Sequence, residues 1–188
     1  MATLDSIRDA IPDYARDLKL NLGSVLATTG APGLTEKQIW AVALASAIAS
    51  RNVSFTRDIE SLASAHLDAA YLNGARAAAS IMGMNNIYYR FLHLVEDPEY
   101  AQMPARLRMN VIGNPGIDKQ DFELLSLAVS AINGCGMCMD SHEKTLRKHE
   151  MPAQAVQSAA RIAAVVHAVA VTLEQVAAAE STQAALAA

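Results

Sequence analysis

Alanine narrows the folds open to this chain more than any other feature. Runs such as Ala75-Arg76-Ala77-Ala78-Ala79 and Ala159-Ala160-Arg161-Ile162-Ala163-Ala164 recur along it. Hydrophobic residues reach 52% of the sequence while aromatic residues supply only 5%, so most of the apolar surface is carried by small side chains. Alanine has the highest helix propensity, and its short side chain lets helices approach closely. The β-branched and aromatic residues that favour strands rarely cluster. The expectation is an all-α, Ala-rich helical domain, a single unit over residues 1–188, with a length that suits one shared core.

Helical punctuation divides the chain further. Leu4 to Ala27 reads as one or two helices, with Pro12 opening the second. Gly30-Ala31-Pro32-Gly33 is a break, and Thr35 with Gln38 forms a capping box before an apolar run to Ser50. Asn52 is expected to end that helix, with Ser54 or Thr56 capping the next. Leu62 to Met82 has helical period with an interruption near Asn73-Gly74, and Asn85 to Glu96 reads as a separate helix. Residues 97–118, with Pro98, Pro104 and Asn114-Pro115-Gly116, read as a connection between two halves. Asp118 caps a helix to Ile132, Asn133-Gly134 stops it, and another helix runs from about Cys135 to Lys148. Pro152 falls in the first turn of the last helix, which continues through Val176.

An internal pseudo-repeat of two helical halves is also legible, roughly 30–96 and 117–180. Ala45-Ser46-Ala47-Ile48-Ala49-Ser50 resembles Val129-Ser130-Ala131-Ile132-Asn133-Gly134. In that register Arg51 falls opposite Cys135 and Ser54 opposite Cys138, so the first copy has the scaffold without the thiols.

Charge excludes some partners. The formal net charge is -4 and the basic residues are scattered, leaving no stripe to neutralise phosphates, so nucleic acid is not an expected partner. Met1-Ala2-Thr3-Leu4-Asp5 lacks the basic start and apolar run of a secretory signal. The apolar stretch Ala41 to Ala49 is far short of the about 20 residues of a membrane span. A cytoplasmic protein with no membrane partner is expected. In that reducing compartment a structural disulfide is disfavoured, and the two cysteines need another explanation.

Both cysteines lie in Asn133-Gly134-Cys135-Gly136-Met137-Cys138-Met139-Asp140-Ser141-His142. Thiols at this spacing, where a helix begins, can close a small disulfide ring with little backbone movement, and the helix N-terminus favours a thiolate. His142 follows Cys138 by one helical turn, so its ring can reach that sulfur and accept its proton. Glu123 lies in an apolar helix among Phe122, Leu124 and Leu125, where periodicity alone sends it to solvent. Should the two helices fold back as a hairpin, Glu123 can approach His142, orient the imidazole and raise its basicity. His66, His93 and His167 read as ordinary core or surface histidines, the methionines as gap-fillers, and Arg106 and Arg108 as solvated.

Glu123, the Cys135-x-x-Cys138 pair and His142 resemble the alkyl hydroperoxidase D family, within the carboxymuconolactone decarboxylase-like superfamily. The likeness extends to the length and the Ala-rich helices. It implies an all-helical fold with an internal repeat, a homotrimer, and reduction of peroxides or disulfides without bound metal or flavin. By the same resemblance, Cys138 attacks the peroxide, Cys135 resolves the sulfenic acid to a disulfide, and His142 with Glu123 relays protons through water. The resemblance further implies electrons from dihydrolipoamide or a lipoyl-bearing acyltransferase, and a peroxiredoxin as recipient. One departure stands out: family members carry a second histidine just before the second cysteine, where this chain has Met137.

Other classes use the same residues differently. A cofactor-free decarboxylase could occupy the scaffold, leaving the thiol pair incidental. A non-catalytic module could bury both cysteines, or bind zinc through Cys135, Cys138, His142 and His149, although no second cysteine pair completes such a site.

Overall fold

A computed structural model describes residues 2–187 and contains helices joined by turns, with no strand among the described residues. The short helix α1 (Leu4–Asp9) is closed by a capping box at Thr3 and Ser6. Pro12 precedes a single 3-10 turn, Asp13–Ala15, and α2 (Arg16–Val25) begins only after it. Helix α3 (Glu36–Ser50) opens on the Thr35–Gln38 capping box and buries nearly its whole circumference, Ile39 to Ala47. α4 (Val53–Ala63), α5 (Ala69–Leu94), α8 (Lys119–Asn133), α9 (Gly136–Lys148) and α10 (Ala153–Leu186) complete the body. The connector holds the one-turn helices α6 (Glu99–Gln102) and α7 (Asn110–Gly113).

The core sits where α3, α8 and α10 meet, with α5 packed across α3 and α8. Leu44, Leu124, Leu125, Ile162 and Val166 are fully buried there among alanines. Helix α10 is long and apolar enough, by length and composition alone, to cross a membrane. Its buried face, from Ala155 to Ala170, is packed against α2, α3 and α8.

Several expectations change. Leu62 to Met82 is not interrupted near Asn73-Gly74, and Asn85 does not open a separate helix: the break falls at residues 64–68, after α4, and α5 runs unbroken from Ala69 to Leu94. Gly74 serves close packing instead, since a Cβ there would meet Ile117 at 2.7 Å. Asn52 does not end α3: Arg51 does, in the left-handed conformation at φ 66°. Asn52 caps α4, its side chain accepting from Phe55 N–H at 2.9 Å, so neither Ser54 nor Thr56 has that role. Thr56 Oγ1 instead donates to the carbonyls of Asn52 and Ala47. Pro152 lies just outside α10, as its N-cap. His66 is not helical; it follows α4 and stacks on Trp40 with centroids 4.9 Å apart.

The caps also shift the register read between the two halves by one residue. Thr35 and Asp118 cap α3 and α8, and Arg51 and Gly134 end them in the left-handed conformation. Aligned on those caps, Asn52 stands opposite Cys135 and Phe55 opposite Cys138, rather than Arg51 and Ser54. The alanine pattern, repeating at nearly every turn, is too uniform to fix a register, whereas each cap admits only one.

Candidate functional site

The α8–α9 turn is built by its sequence. Gly134 takes φ 69°, which a glycine adopts without steric cost, and its N–H reaches back to the carbonyls of Ala131 and Ser130. Cys135 N–H donates to Ser130 O at 3.1 Å, and Cys135 then becomes the N-cap of α9. Its sulfur accepts from Cys138 N–H at 3.3 Å, the place a serine or aspartate oxygen usually fills. The two sulfurs are bonded, with Cα atoms 5.3 Å apart.

Helix α5 clamps this turn from outside. Arg90 Nη1 donates to Asn133 O at 2.6 Å, and Asn133 Nδ2 donates to Asn86 Oδ1 at 2.9 Å. Asn86 Nδ2 in turn donates to Ser130 Oγ at 2.8 Å. Buried polar groups held in a satisfied network of this kind specify one geometry. The sequence assigns no role to Arg90 or Asn86, and to Asn133 and Ser130 none beyond the helix end and the repeated segment. The legible signal was the Asn85-Asn86 pair, two amides inside an otherwise apolar helix.

Cys135 is fully buried, while Cys138, at 6% exposed, lines a cavity of about 350 Å³. Glu123 and His142 line the same cavity. Glu123 does not face solvent as its periodicity predicts. The α8–α9 hairpin carries it across to His142, and Glu123 Oε2 lies 2.6 Å from His142 Nδ1. Their side chains are only 20% and 12% exposed. With Glu123 ionised, Nδ1–H donates to it, and the lone pair of Nε2 is left to accept a proton. All four residues expected to carry chemistry are therefore brought to one place.

The remaining wall comes from α5, through Met82, Asn85 and Tyr89, and from the connector, through Met109 and Ile112. Met137 lies at the edge and is 39% exposed. The connector thus contributes apolar side chains to the site, while Arg106 and Arg108 are exposed. On the outer face of α9, Asp140 accepts from Lys144 at 2.7 Å and holds that exposed ammonium above the usual lysine range. His149 takes part through its backbone, whose carbonyl accepts from Gln120 Nε2 at 3.0 Å. His167 Nδ1 lies 3.2 Å from Ser50 Oγ, in contact with α3.

Such a site can lower the cost of ionising a thiol, accept its proton, and close a disulfide. Residues 98–181 match the model of the carboxymuconolactone decarboxylase family. Over most of its length the chain is also similar to curated proteins named alkyl hydroperoxide reductase AhpD. The protein from Streptomyces griseus is 54% identical over 91% of this chain and 95% of its own length. That from Streptomyces coelicolor is 55% identical over 92% and 95%. That from Gluconacetobacter diazotrophicus is 55% identical over 94% and 95%.

Proposed function

This chain belongs to the alkyl hydroperoxide reductase AhpD family, and on that footing we propose that it reduces organic hydroperoxides through Cys138, Cys135, His142 and Glu123. One observation carries the assignment of roles: the Glu123–His142 pair and Cys138 share one cavity wall, while Cys135 is sealed behind it. Cys138 is then the thiol a peroxide can reach, and Cys135 the thiol that can reach only Cys138.

The chemistry follows from those positions. His142 Nε2 accepts the Cys138 proton directly or through a water, and Glu123 stabilises the imidazolium that forms. The thiolate attacks the terminal oxygen of the hydroperoxide, and the O–O bond breaks. The alkoxide leaves as the alcohol with the proton from His142, and Cys138 becomes a sulfenic acid. Cys135 attacks that sulfur and expels water, giving the disulfide. Its own thiolate is stabilised by the Cys138 N–H that its sulfur already meets at the head of α9. For the return step an external dithiol attacks Cys138, the accessible sulfur, and Cys135 departs as the stabilised thiolate; the donor's second thiol then displaces Cys138 and closes the donor's own disulfide.

The proposal takes dihydrolipoamide or the lipoyl domain of an acyltransferase as that dithiol, a peroxiredoxin as electron recipient, a homotrimer as the assembly, and the cytoplasm as the compartment. Family resemblance supports the donor, the recipient and the assembly. The deciding experiment is organic hydroperoxide consumption by the pure protein with dihydrolipoamide, beside Cys135→Ser and Cys138→Ser. Turnover abolished by both substitutions is the expected result. Turnover of a lactone acid that survives Cys138→Ser would move the assignment to a decarboxylase, and stoichiometric zinc with unreactive thiols would move it to a binding module.

A further inference from the structure

Among the described residues, Asn85 is the one buried polar residue of the cavity that the mechanism leaves unused and whose side-chain oxygen is unpaired. It is 4% exposed, on the face of α5 that lines the cavity with Cys138, Glu123 and His142. Its Oδ1 is buried and has no hydrogen-bond partner. Its chain neighbour Asn86 is equally buried but bonded at both ends of its amide, to Ser130 and Asn133. Ser46 and Ser126 also have unpaired buried oxygens, but neither lines this cavity.

A buried acceptor without a partner destabilises a fold, and a leucine of similar shape would suit this apolar helix better. Stability therefore does not account for an amide here. Unpaired buried polar groups in a cleft point to a ligand that completes them.

The geometry points to Asn85 as a binding residue for the peroxide group itself, a role that rests on the proposed reduction at Cys138. A hydroperoxide, R–O–O–H, has one O–H donor and two acceptor oxygens, and a carboxamide has the matching acceptor and donors. The last torsion of an asparagine side chain is loosely held, so its amide can turn toward the cavity when a partner enters. The Oδ1 then accepts from the terminal O–H, and Nδ2–H donates to the inner oxygen. During attack, the Cys138 sulfur bonds to the terminal oxygen and the electron pair of the O–O bond moves to the inner one. That oxygen gains charge before His142 returns its proton, so a donor aimed at it acts most strongly in the transition state. Met82, Met109 and Ile112 form the apolar wall against which the R group would lie. The substrate class is accordingly an alkyl or aryl hydroperoxide, with its R group against methionine and its peroxide head on the amide.

The test uses the full chain, with Asn85→Leu to replace the amide by an apolar shape and Asn85→Ala to keep the cavity open. Three rates are read: oxidation of the reduced protein by cumene hydroperoxide, its oxidation by hydrogen peroxide, and reduction of its disulfide by dihydrolipoamide. In both variants the two peroxide rates are expected to fall together by roughly tenfold or more, because the amide reads the O–O group common to both. Disulfide reduction is expected to stay within about twofold, and the melting temperature of Asn85→Leu to stay at or above that of the parent. Unchanged peroxide rates, a loss confined to cumene hydroperoxide, or an equal loss in disulfide reduction would overturn the assignment. A parent protein that reacts with neither peroxide would instead remove the reading on which it rests.

Discussion

The α3–α4 and α8–α9 turns are close in backbone and opposite in content. Each joins a helix that begins at a polar cap to a second helix through one left-handed residue and one capping side chain: Arg51 and Asn52 in the first, Gly134 and Cys135 in the second. With the caps aligned, Trp40 stands where Glu123 does, Phe55 where Cys138 does, and Ile59 where His142 does. In the first turn the equivalent positions are filled: Phe55 and Ile59 are buried, and Trp40 stacks on His66. The second holds a cavity lined by thiol, imidazole and carboxylate. The content of the hairpin is therefore set by four side chains: Trp40, Asn52, Phe55 and Ile59 in the first, Glu123, Cys135, Cys138 and His142 in the second. The two leading helices also meet: Gln38 and Asp121, each third in its helix, share a 2.7 Å hydrogen bond.

The largest test of that difference is to move the thiols. Cys138→Ser is expected to lower hydroperoxide consumption by about a thousandfold or more. Placing cysteines in the first turn with Asn52→Cys and Phe55→Cys should restore nothing, because neither Trp40 nor Ile59 can move a proton. Loss of the Phe55 side chain should also destabilise by about 3 kcal/mol or more, read by denaturant unfolding. Peroxidase activity from the grafted pair would show that a turn and two thiols suffice.

Next in size is the relay. Glu123→Gln keeps the shape and a hydrogen-bonding group but removes the charge that stabilises the imidazolium. The peroxide rate is expected to fall by roughly tenfold to a hundredfold, measured by single-turnover oxidation, with disulfide content unchanged. A full rate in Glu123→Gln would take the carboxylate out of the mechanism.

Smaller effects of opposite sign are expected at the two left-handed positions. Arg51→Gly relieves a residue with a Cβ from φ 66°, and should stabilise by about 0.5–1 kcal/mol. Gly134→Ala imposes that same conformation on a Cβ and should destabilise by about 1–2 kcal/mol. Thermal unfolding of the two variants reads both signs, and equal shifts in one direction would show that the turns are held differently.

An effect of similar size concerns the contact at Asp121. Tyr71 Oη donates to Asp121 Oδ2 at 2.7 Å, and burial, then this bond, raise the phenol above the usual tyrosine range. The folded state holds that proton more tightly than the unfolded chain does. The contribution is thus complete below about pH 10 and is lost as pH rises through the folded-state value. Tyr71→Phe should cost about 0.5–1.5 kcal/mol at neutral pH and lessen the alkaline fall in melting temperature.

Local sequence decided most features that depend on neighbours a few residues apart. Alanine propensity and the caps at Thr35 and Asp118 made the helices legible, and the spacing of Cys135, Cys138 and His142 made the dithiol motif legible, because each acts within one or two turns. Two positions are ambiguous from local signals alone. Gly74 looks like a break until Ile117, distant in sequence, occupies the space a side chain would need. Asn52 looks like a stop until Arg51 takes the left-handed conformation beside it. Only the tertiary structure decided where Glu123 points and that Asn85 lines the cavity unpaired. It also decided that Arg90 and Asn86 of α5 clamp the turn carrying the thiols. The physical reason is the same for each: a side chain's partner is set by which helix crosses it, and a chain whose helices are faced with alanine permits many crossings until caps, turns and buried volume select one.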